Sequence, residues 1–202
     1  MKHDCDVKRG QFIGKVHSLL QEFYFSAPAV VMKLVNVYAT SLYGSNCYDL
    51  FSDASERLFR AWNVTVRQVY KLDRTTHRYL IETISKCLHP KVILSSRFVK
   101  FHENNVKCVK PVIRTLANLN KDDLTTVYGR NLYNIGGCCN LNVNCLTPQL
   151  VKSNMTYFSI PETELWRIPI INEIVALRNN ELSITGFSYG EMKDILDHIC
   201  VT

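Results

Sequence analysis

The sequence predicts an all-α protein, an irregular multi-helix bundle with room for two small helical subdomains. Three observations predict this class. Apolar residues recur at spacings of three and four along most of the 202-residue chain, residues that start helices precede most of these segments, and strand-like alternation is almost absent. A hydrophobic content of 47% with 21% charged residues is typical of a globular chain that buries a core.

Three long helices are predicted first. Val7–Phe25 has apolar residues on one face, as in an amphipathic helix. Pro28–Tyr43 is apolar nearly all round, which predicts a buried central helix that ends at Gly44. Asp53 with Glu56 three residues later forms a capping-box pattern, and we expect the helix that it opens to reach about Leu72.

The later elements are also helical in pattern. Thr75 or Thr76 can cap a short helix that ends near Lys86, and Pro90 can open another. The segment 136–148 contains glycine, proline and asparagine and is the best candidate for a boundary. Five further helices are predicted at Pro111–Asn118, Leu124–Tyr133 with Asp122 as its cap, Pro148–Tyr157, Glu162–Asn179 and Tyr189–Ile199.

Charge is unevenly distributed along the chain. Residues 1–100 contain 15 Lys and Arg against 8 Asp and Glu, whereas residues 101–202 contain 9 against 10. A basic half favours a polyanionic partner, because neutralising phosphates releases counterions and supplies most of the sequence-independent affinity for nucleic acid. Ordinary solubilising charge is the open alternative.

The stretch 60–80 shows the charge pattern most clearly. On a helical wheel, Trp62, Val66 and Val69 share one face. The opposite face is cationic, with no carboxylate between Glu56 and Asp73. A solubilising face usually mixes both signs, so this pattern favours a surface that faces phosphates. The predicted phosphate-facing residues are Arg60, Arg67, Lys71 and Arg74, continued by His77 and Arg78, although His77 alone is more typical of a capping or packing residue.

No catalytic or metal-binding pattern is recognisable, so we expect no enzymatic activity and no cofactor. The pair Asp122–Asp123 is typical of a helix cap with first-turn charge, not of the clustered carboxylates that hold two metal ions. Cys138, Cys139 and Cys145 lack the spacing of a zinc knuckle, so no metal is expected. There is no apolar run of about 18 residues and no signal core, which predicts a nuclear or cytoplasmic protein that is neither secreted nor membrane-bound.

Four stretches carry a resemblance to a known family. They are VKRGQFIGKVHSLLQEF (7–23), KLVNVYATSLYGSNCYDLF (33–51), RLFRAWNVTVRQVYKLDRTTHRYLI (57–81) and CLHPKVILSSRFVKFHENN (87–105). In this order they resemble the region just downstream of the polymerase core in the reverse transcriptases of non-LTR retrotransposons. The resemblance implies a thumb and connector over residues 1–105, which is a basic helical domain, and a C-terminal helical tail over residues 106–202.

The resemblance also implies roles for particular residues. Lys8, Arg9 and Lys15 match the first basic segment of the thumb, Trp62, Asn63 and Arg67 match its AWN-containing helix, and Thr76, His77 and Arg78 match its THR signature. Two positions depart from the family pattern. His17 stands where asparagine is common, and Cys47-Tyr48 replaces a position that tryptophan commonly follows.

The resemblance therefore implies a non-catalytic fragment of a retrotransposon polymerase that grips template–primer nucleic acid. Its expected partners are an RNA–DNA hybrid or another duplex, and the polymerase core, whose paired aspartates lie outside this chain. A truncated element whose frame opens at Met1 is expected. The alternative is a helical protein-interaction or structural module, in which aromatic residues that once packed on the core form an adhesive surface. Those residues are Phe12, Phe23, Tyr24, Tyr43 and Tyr48.

Overall fold

Helices make up the regular structure of the protein in the computed structural model, which describes residues 2–40, 42, 44–78, 80–155, 169, 170, 172, 173 and 194. The all-α prediction is confirmed. In chain order the helices are α1 (Lys2–Glu22), α2 (Pro28–Leu34), α3 (Asp53–Tyr70), α4 (Leu80–Ser85), α5 (Pro90–Val106), α6 (Pro111–Lys121), α7 (Val127–Cys139) and α8 (Pro148–Asn154). The predicted helices Glu162–Asn179 and Tyr189–Ile199 lie outside the described residues apart from the last five positions given above.

The described residues form two units. The first unit takes residues from 2–8, 42–59 and 88–155, and the second unit takes residues from 9–40 and 60–87 together with the described positions after 168. Helices α1 and α3 each contribute residues to both units. These units are not the predicted domains 1–105 and 106–202, and that division stays a prediction.

The first unit is built around α5, which contacts α6, α7 and α8. Phe98 and Val99 of α5 are buried, and so are Leu132 and Ile135 of α7. The Nζ of Lys91 lies 2.7 Å from Oε1 of Glu56 and 4.6 Å from the centre of the Phe51 ring. This half-buried ion pair fixes the start of α5 against α3 within the unit.

His89 caps α5 and titrates far from its usual range. Its Nδ1 accepts a hydrogen bond from the backbone N–H of Lys91 at 3.2 Å, and its ring meets Phe59 edge-on at 5.6 Å. Burial, with a smaller contribution from the Lys91 charge, lowers the pKa of His89 to about 3. The folded protein therefore holds His89 neutral.

A pH dependence of stability follows from His89. Between about pH 6.5 and pH 3 the unfolded chain binds a proton at this site and the folded chain does not, so stability is complete above pH 6.5 and is lost as the pH falls. Urea unfolding at several pH values across this window gives the free energy of unfolding of wild type and His89→Asn. The slope of this free energy against pH should be smaller in the variant by up to about 1.4 kcal/mol per pH unit. Identical slopes would show that His89 protonates freely in the fold.

The second unit buries one stripe of each long helix. Phe12, Val16 and Leu19 of α1 are buried at the three-and-four spacing that the sequence predicted. From α3 the unit buries Trp62, Val66 and Val69, whose exposed fractions are 1%, 0% and 6%. Leu80, Ile81 and Ile84 of α4 complete the interior.

The predicted helix Pro28–Tyr43 begins at Pro28 as expected, but its predicted length and its burial on all sides are wrong. Helix α2 ends at Leu34 and passes into a π-helical segment, Val35–Ala39, in which Thr40 N–H bonds the carbonyl of Val35 five residues earlier. The wider turn changes the register of the side chains that follow it, but Val30 in α2 is already 48% exposed, so one side of this apolar segment faces solvent from its first turn. Val37 and Tyr38 are 65% and 59% exposed.

Two predicted helix caps are displaced. Ser52 precedes α3 and its Oγ accepts from the N–H of Ser55 at 3.4 Å, so Asp53 is a helical residue and not the cap. Thr126 caps α7 through a bond from Gly129 N–H to its Oγ1 at 3.0 Å, whereas Asp122 ends α6. Ser and Thr hydroxyls are as suitable as carboxylates for capping, so the sequence pattern does not choose between neighbours.

The predicted loop after Tyr133 is helical as far as Cys139. Helix α7 ends only where Asn140 takes a left-handed conformation with φ of 53°. Gly136 lies within the helix, where a Cβ atom would come within 2.8 Å of the carbonyl oxygen of Leu141. Glycine is therefore needed at position 136 because the Leu141 backbone approaches it closely, and not because the chain turns there.

Candidate nucleic-acid interface

Helix α3 has the buried apolar face that its sequence predicted, but a different exposed face. Leu58, Trp62, Val66 and Val69 are buried, which confirms the apolar side of the wheel. The exposed positions along the opposite side are Arg60, Val64, Gln68 and Lys71, the last just beyond the helix end. Only the two ends of this exposed stripe are cationic.

Arg67 is half-buried, so the prediction that it lies on the exposed face is wrong. Its Nη2 donates to the Thr76 carbonyl at 2.6 Å, and its Nη1 donates to the Asn63 carbonyl at 3.3 Å. Burial, followed by the charge of Arg78, lowers the pKa of Arg67. Two guanidinium groups thus repel each other here, and the ion pairs found among the described residues include neither. A bound anion would relieve this repulsion.

A turn over residues 71–78 carries the remaining cations. Lys71 has φ of 52° and ends α3: its N–H bonds the Gln68 carbonyl at 3.2 Å, while Leu72 N–H bonds the Arg67 carbonyl at 2.8 Å. Arg74 is therefore not on the helix, and its predicted wheel position is wrong. Arg74 and Arg78 are exposed and His77 is half-buried.

Two aromatic residues lie beside Lys71. Tyr24 is 65% exposed and Phe25 is 97% exposed, and their rings meet edge-on with centroids 5.1 Å apart. The Nζ of Lys71 lies 5.3 Å from the centre of the Tyr24 ring. A cleft of about 420 Å³ is lined by all three residues together with Pro28 and Val69. Exposed rings next to a cation form a surface that suits both bases and phosphates.

The sequence pattern predicted no role for Phe25, and Tyr24 was predicted only in the alternative, protein-binding surface. The available signal was the FYFSA stretch, residues 23–27, directly before Pro28, since aromatic residues beyond the last helical turn have no core face to join.

The three basic residues predicted on α1 have different environments. Lys8 is half-buried and belongs to the first unit. Arg9 is half-buried, and its Nε is buried with no hydrogen-bond partner in the described part of the chain. Lys15 is exposed and its Nζ donates to the Tyr38 carbonyl at 3.2 Å. Apart from Lys8, all of the predicted nucleic-acid-binding residues belong to the second unit.

The aromatic surface predicted for the alternative function is wrong at two positions. Phe12 and Tyr48 are each only 3% exposed, so they belong to the interior of the fold. Phe23 is half-buried and Tyr24 is exposed. Tyr43 lies outside the described residues.

Within the described ranges, no three His, Cys, Asp or Glu side chains come close enough to hold a metal ion. Cys138 and Cys145 are exposed, whereas Cys139 is buried and burial raises the pKa of its thiol. No helix in the described part of the chain is both long and apolar enough to cross a membrane.

Comparison with known proteins identifies no relative: no protein-family model, no curated protein and no solved structure matches the chain. The assignment of a function therefore rests on the residues and geometry of the two units. The exposed cations and rings near Lys71 are the strongest functional feature of the second unit.

Proposed function

We propose that this chain is a nucleic-acid-binding helical module, the non-catalytic C-terminal part of a retrotransposon RNA-directed DNA polymerase that grips template–primer duplex. The observation that carries the proposal is the cluster of Lys71, Tyr24 and Phe25 beside the exposed cations of the 71–78 turn. Residues 9–40 and 60–87 contain nine Lys and Arg against three Asp and Glu. Such an excess supplies attraction to phosphates.

The exposed cations suit contacts to a nucleic-acid backbone. Arg60 and Lys71 are eleven residues apart, which corresponds to about 16 Å along a helix, or about five nucleotides of one strand. Contacts of this kind carry no sequence information, so the module can hold a duplex of changing sequence. The proposed mechanism is electrostatic gripping by Arg60, Lys71, Arg74 and Arg78, with Arg67 and Thr76 holding the turn in position.

Tyr24 and Phe25 add a surface for bases. Stacking of a base on an aromatic side chain stabilises complexes by about 1–3 kcal/mol and does not depend on which base is present. An unpaired or frayed nucleotide next to the duplex is the substrate that fits these two exposed rings and the neighbouring lysine. The resemblance to the thumb region supports an RNA–DNA hybrid as the duplex, and a polymerase core as a further partner.

The double substitution Arg60→Gln with Lys71→Gln tests the proposal. Affinity for an RNA–DNA hybrid should fall by similar factors for different sequences. The salt slope, which is the slope of log affinity against log salt concentration, should become shallower by about 2, because each phosphate contact contributes nearly one unit to this slope. Both side chains are exposed, so we expect stability to change by less than about 0.5 kcal/mol. Arg67 is unsuitable for this test because its bonds to Thr76 and Asn63 contribute to folding.

The matched control is Lys107→Gln with Lys152→Gln, which removes the same charge from exposed positions of the first unit. It should leave the salt slope nearly unchanged. Equal losses of affinity in the two double variants would show that the effect depends only on net charge. Unchanged affinity and slope in Arg60→Gln/Lys71→Gln, with the fold intact, would show that this stripe is only solvated.

The second candidate is a protein-interaction module, and one observation favours it. Helix α6 exposes Val112, Leu116 and Leu119, three large apolar residues. Association through such residues persists or strengthens as salt rises, whereas phosphate binding weakens. A titration at two salt concentrations therefore separates the two functions.

A further inference from the structure

Helix α6 is oriented so that its large apolar residues face outward. Val112, Leu116 and Leu119 are 70%, 53% and 68% exposed, and Val109 just before the helix is 92% exposed. Ala117 is the buried residue of this helix. Helix α6 contacts α5 and α7 within the first unit, so its packed side is occupied, whereas its apolar side is exposed in the part of the chain that the structure describes.

The spacing of the exposed residues defines one stripe. Positions 112, 116 and 119 of α6 follow steps of four and three, and Val109 lies just before the helix begins. Residues at this spacing lie above one another on a helix and form the seam of helix–helix pairs. Polar Thr115 and Asn118 lie to one side of the stripe and are exposed.

Charges at the two ends of the helix differ in sign. Lys107 and Lys110 precede α6 and are exposed, whereas Asp122 and Asp123 follow its last residue, Lys121, whose Nζ donates to Asn144 Oδ1 at 3.1 Å. The partial charges of the helix ends have the same polarity, positive at the start and negative at the end. An antiparallel helix of the same sequence would therefore bring opposite charges together at both ends.

We propose that α6 is a self-complementary docking surface on which the α6 helix of a second copy of this chain packs antiparallel. Ile113, which lies beside the stripe, is 38% exposed. A two-fold axis near Leu116 places Leu116 against its own counterpart, Ile113 against Leu119, and Lys110 against Asp122. The same patch on both copies forms such an interface. A helix of this length is about 16 Å long, so the contact is smaller than the about 800 Å² per partner of a standard interface, and the dimer forms only at raised concentration.

Sedimentation equilibrium of the whole chain over an about hundredfold range of concentration tests the proposal. Wild type should shift from monomer to dimer, and Leu116→Glu should weaken the dimer at least about tenfold. Asn118→Glu is the matched control, because it adds the same charge to an exposed site on another face of the helix, and it should leave the dimer intact. A wild type that stays monomeric, or a dimer equally strong with Leu116→Glu, would overturn the proposal.

Charge reversal tests the antiparallel arrangement. Lys110→Glu and Asp122→Lys should each weaken the dimer, and the two changes together should restore it. Both substitutions favour the helix itself, because acidic residues suit its start and basic residues suit its end, so circular dichroism should show an intact fold. A double variant weaker than either single variant would contradict the antiparallel pairing. The dimer surface belongs to the first unit, so the result is separate from nucleic-acid binding by the second unit.

Discussion

Replacing Trp62 by alanine is expected to remove roughly 3–5 kcal/mol from the free energy of unfolding. Trp62 is 1% exposed and is among the largest fully buried side chains of the described chain. It shares the inward face of α3 with Val66 and Val69. Alanine would leave a cavity of the size of an indole ring, and the neighbouring side chains relax only partly into such space.

Urea unfolding followed by helical circular dichroism is the suitable measurement, because Trp62 is one of only two tryptophans and its loss alters the fluorescence signal itself. Val64→Ala on the same helix is the control. Val64 is 51% exposed, so its truncation should change stability by less than about 0.5 kcal/mol. A loss for Trp62→Ala as small as that of the control would place Trp62 outside the core.

The burial of Trp62 could be predicted from the sequence because helical periodicity is a local property. Side chains three and four residues apart share a face in any α-helix, so Trp62, Val66 and Val69 had to be buried or exposed together. The same argument failed for Arg67. The turn after α3 brings the Thr76 carbonyl to the Arg67 guanidinium. Helical periodicity cannot predict a contact that a turn makes.

Helix ends were less predictable than helix faces for a related reason. Asp53 and Glu56 match a capping box, yet Glu56 binds Lys91, which is 35 residues further along the chain. Once a distant cation takes the carboxylate, the hydroxyl of Ser52 supplies the cap. A local pattern specifies which residues are able to cap, and long-range partners decide which of them do so.

The candidate site was predictable in composition but not in geometry. The basic character of residues 60–78 follows from the sequence, whereas the proximity of Tyr24 to Lys71 depends on how α1 and α3 pack within the second unit. Lys71 also has a left-handed backbone conformation that glycine usually adopts. A lysine at this position therefore gave no signal of the turn that it forms. Both features need the tertiary structure.

Replacing Asn131 by alanine is expected to destabilise the first unit by about 2–6 kcal/mol. Asn131 lies on α7 and is fully buried, and its carboxamide binds the backbone of a loop more than 80 residues earlier. Its Nδ2 donates to the Tyr48 carbonyl at 2.7 Å, and its Oδ1 accepts from the N–H of Leu50 at 3.0 Å. Alanine leaves both backbone groups buried without a partner, at a cost of about 1–3 kcal/mol each. Asn134→Ala, on the half-exposed side of the same helix, is the control and should cost far less.

The Asn131→Asp variant shows whether this double hydrogen bond, and not volume, is responsible. The carboxyl keeps an acceptor for Leu50 N–H, but only its protonated form can also donate to the Tyr48 carbonyl. Burial should raise the pKa of this carboxyl above its unfolded value of about 3.9, so the folded state binds more protons than the unfolded state in the window above that value. Stability of the variant relative to wild type should therefore fall as the pH rises from about 4 to 7, measured by urea unfolding at each pH. A deficit that is the same at both ends of this range would mean that the carboxyl is not confined between Tyr48 and Leu50, and would remove the basis for the large loss expected of Asn131→Ala.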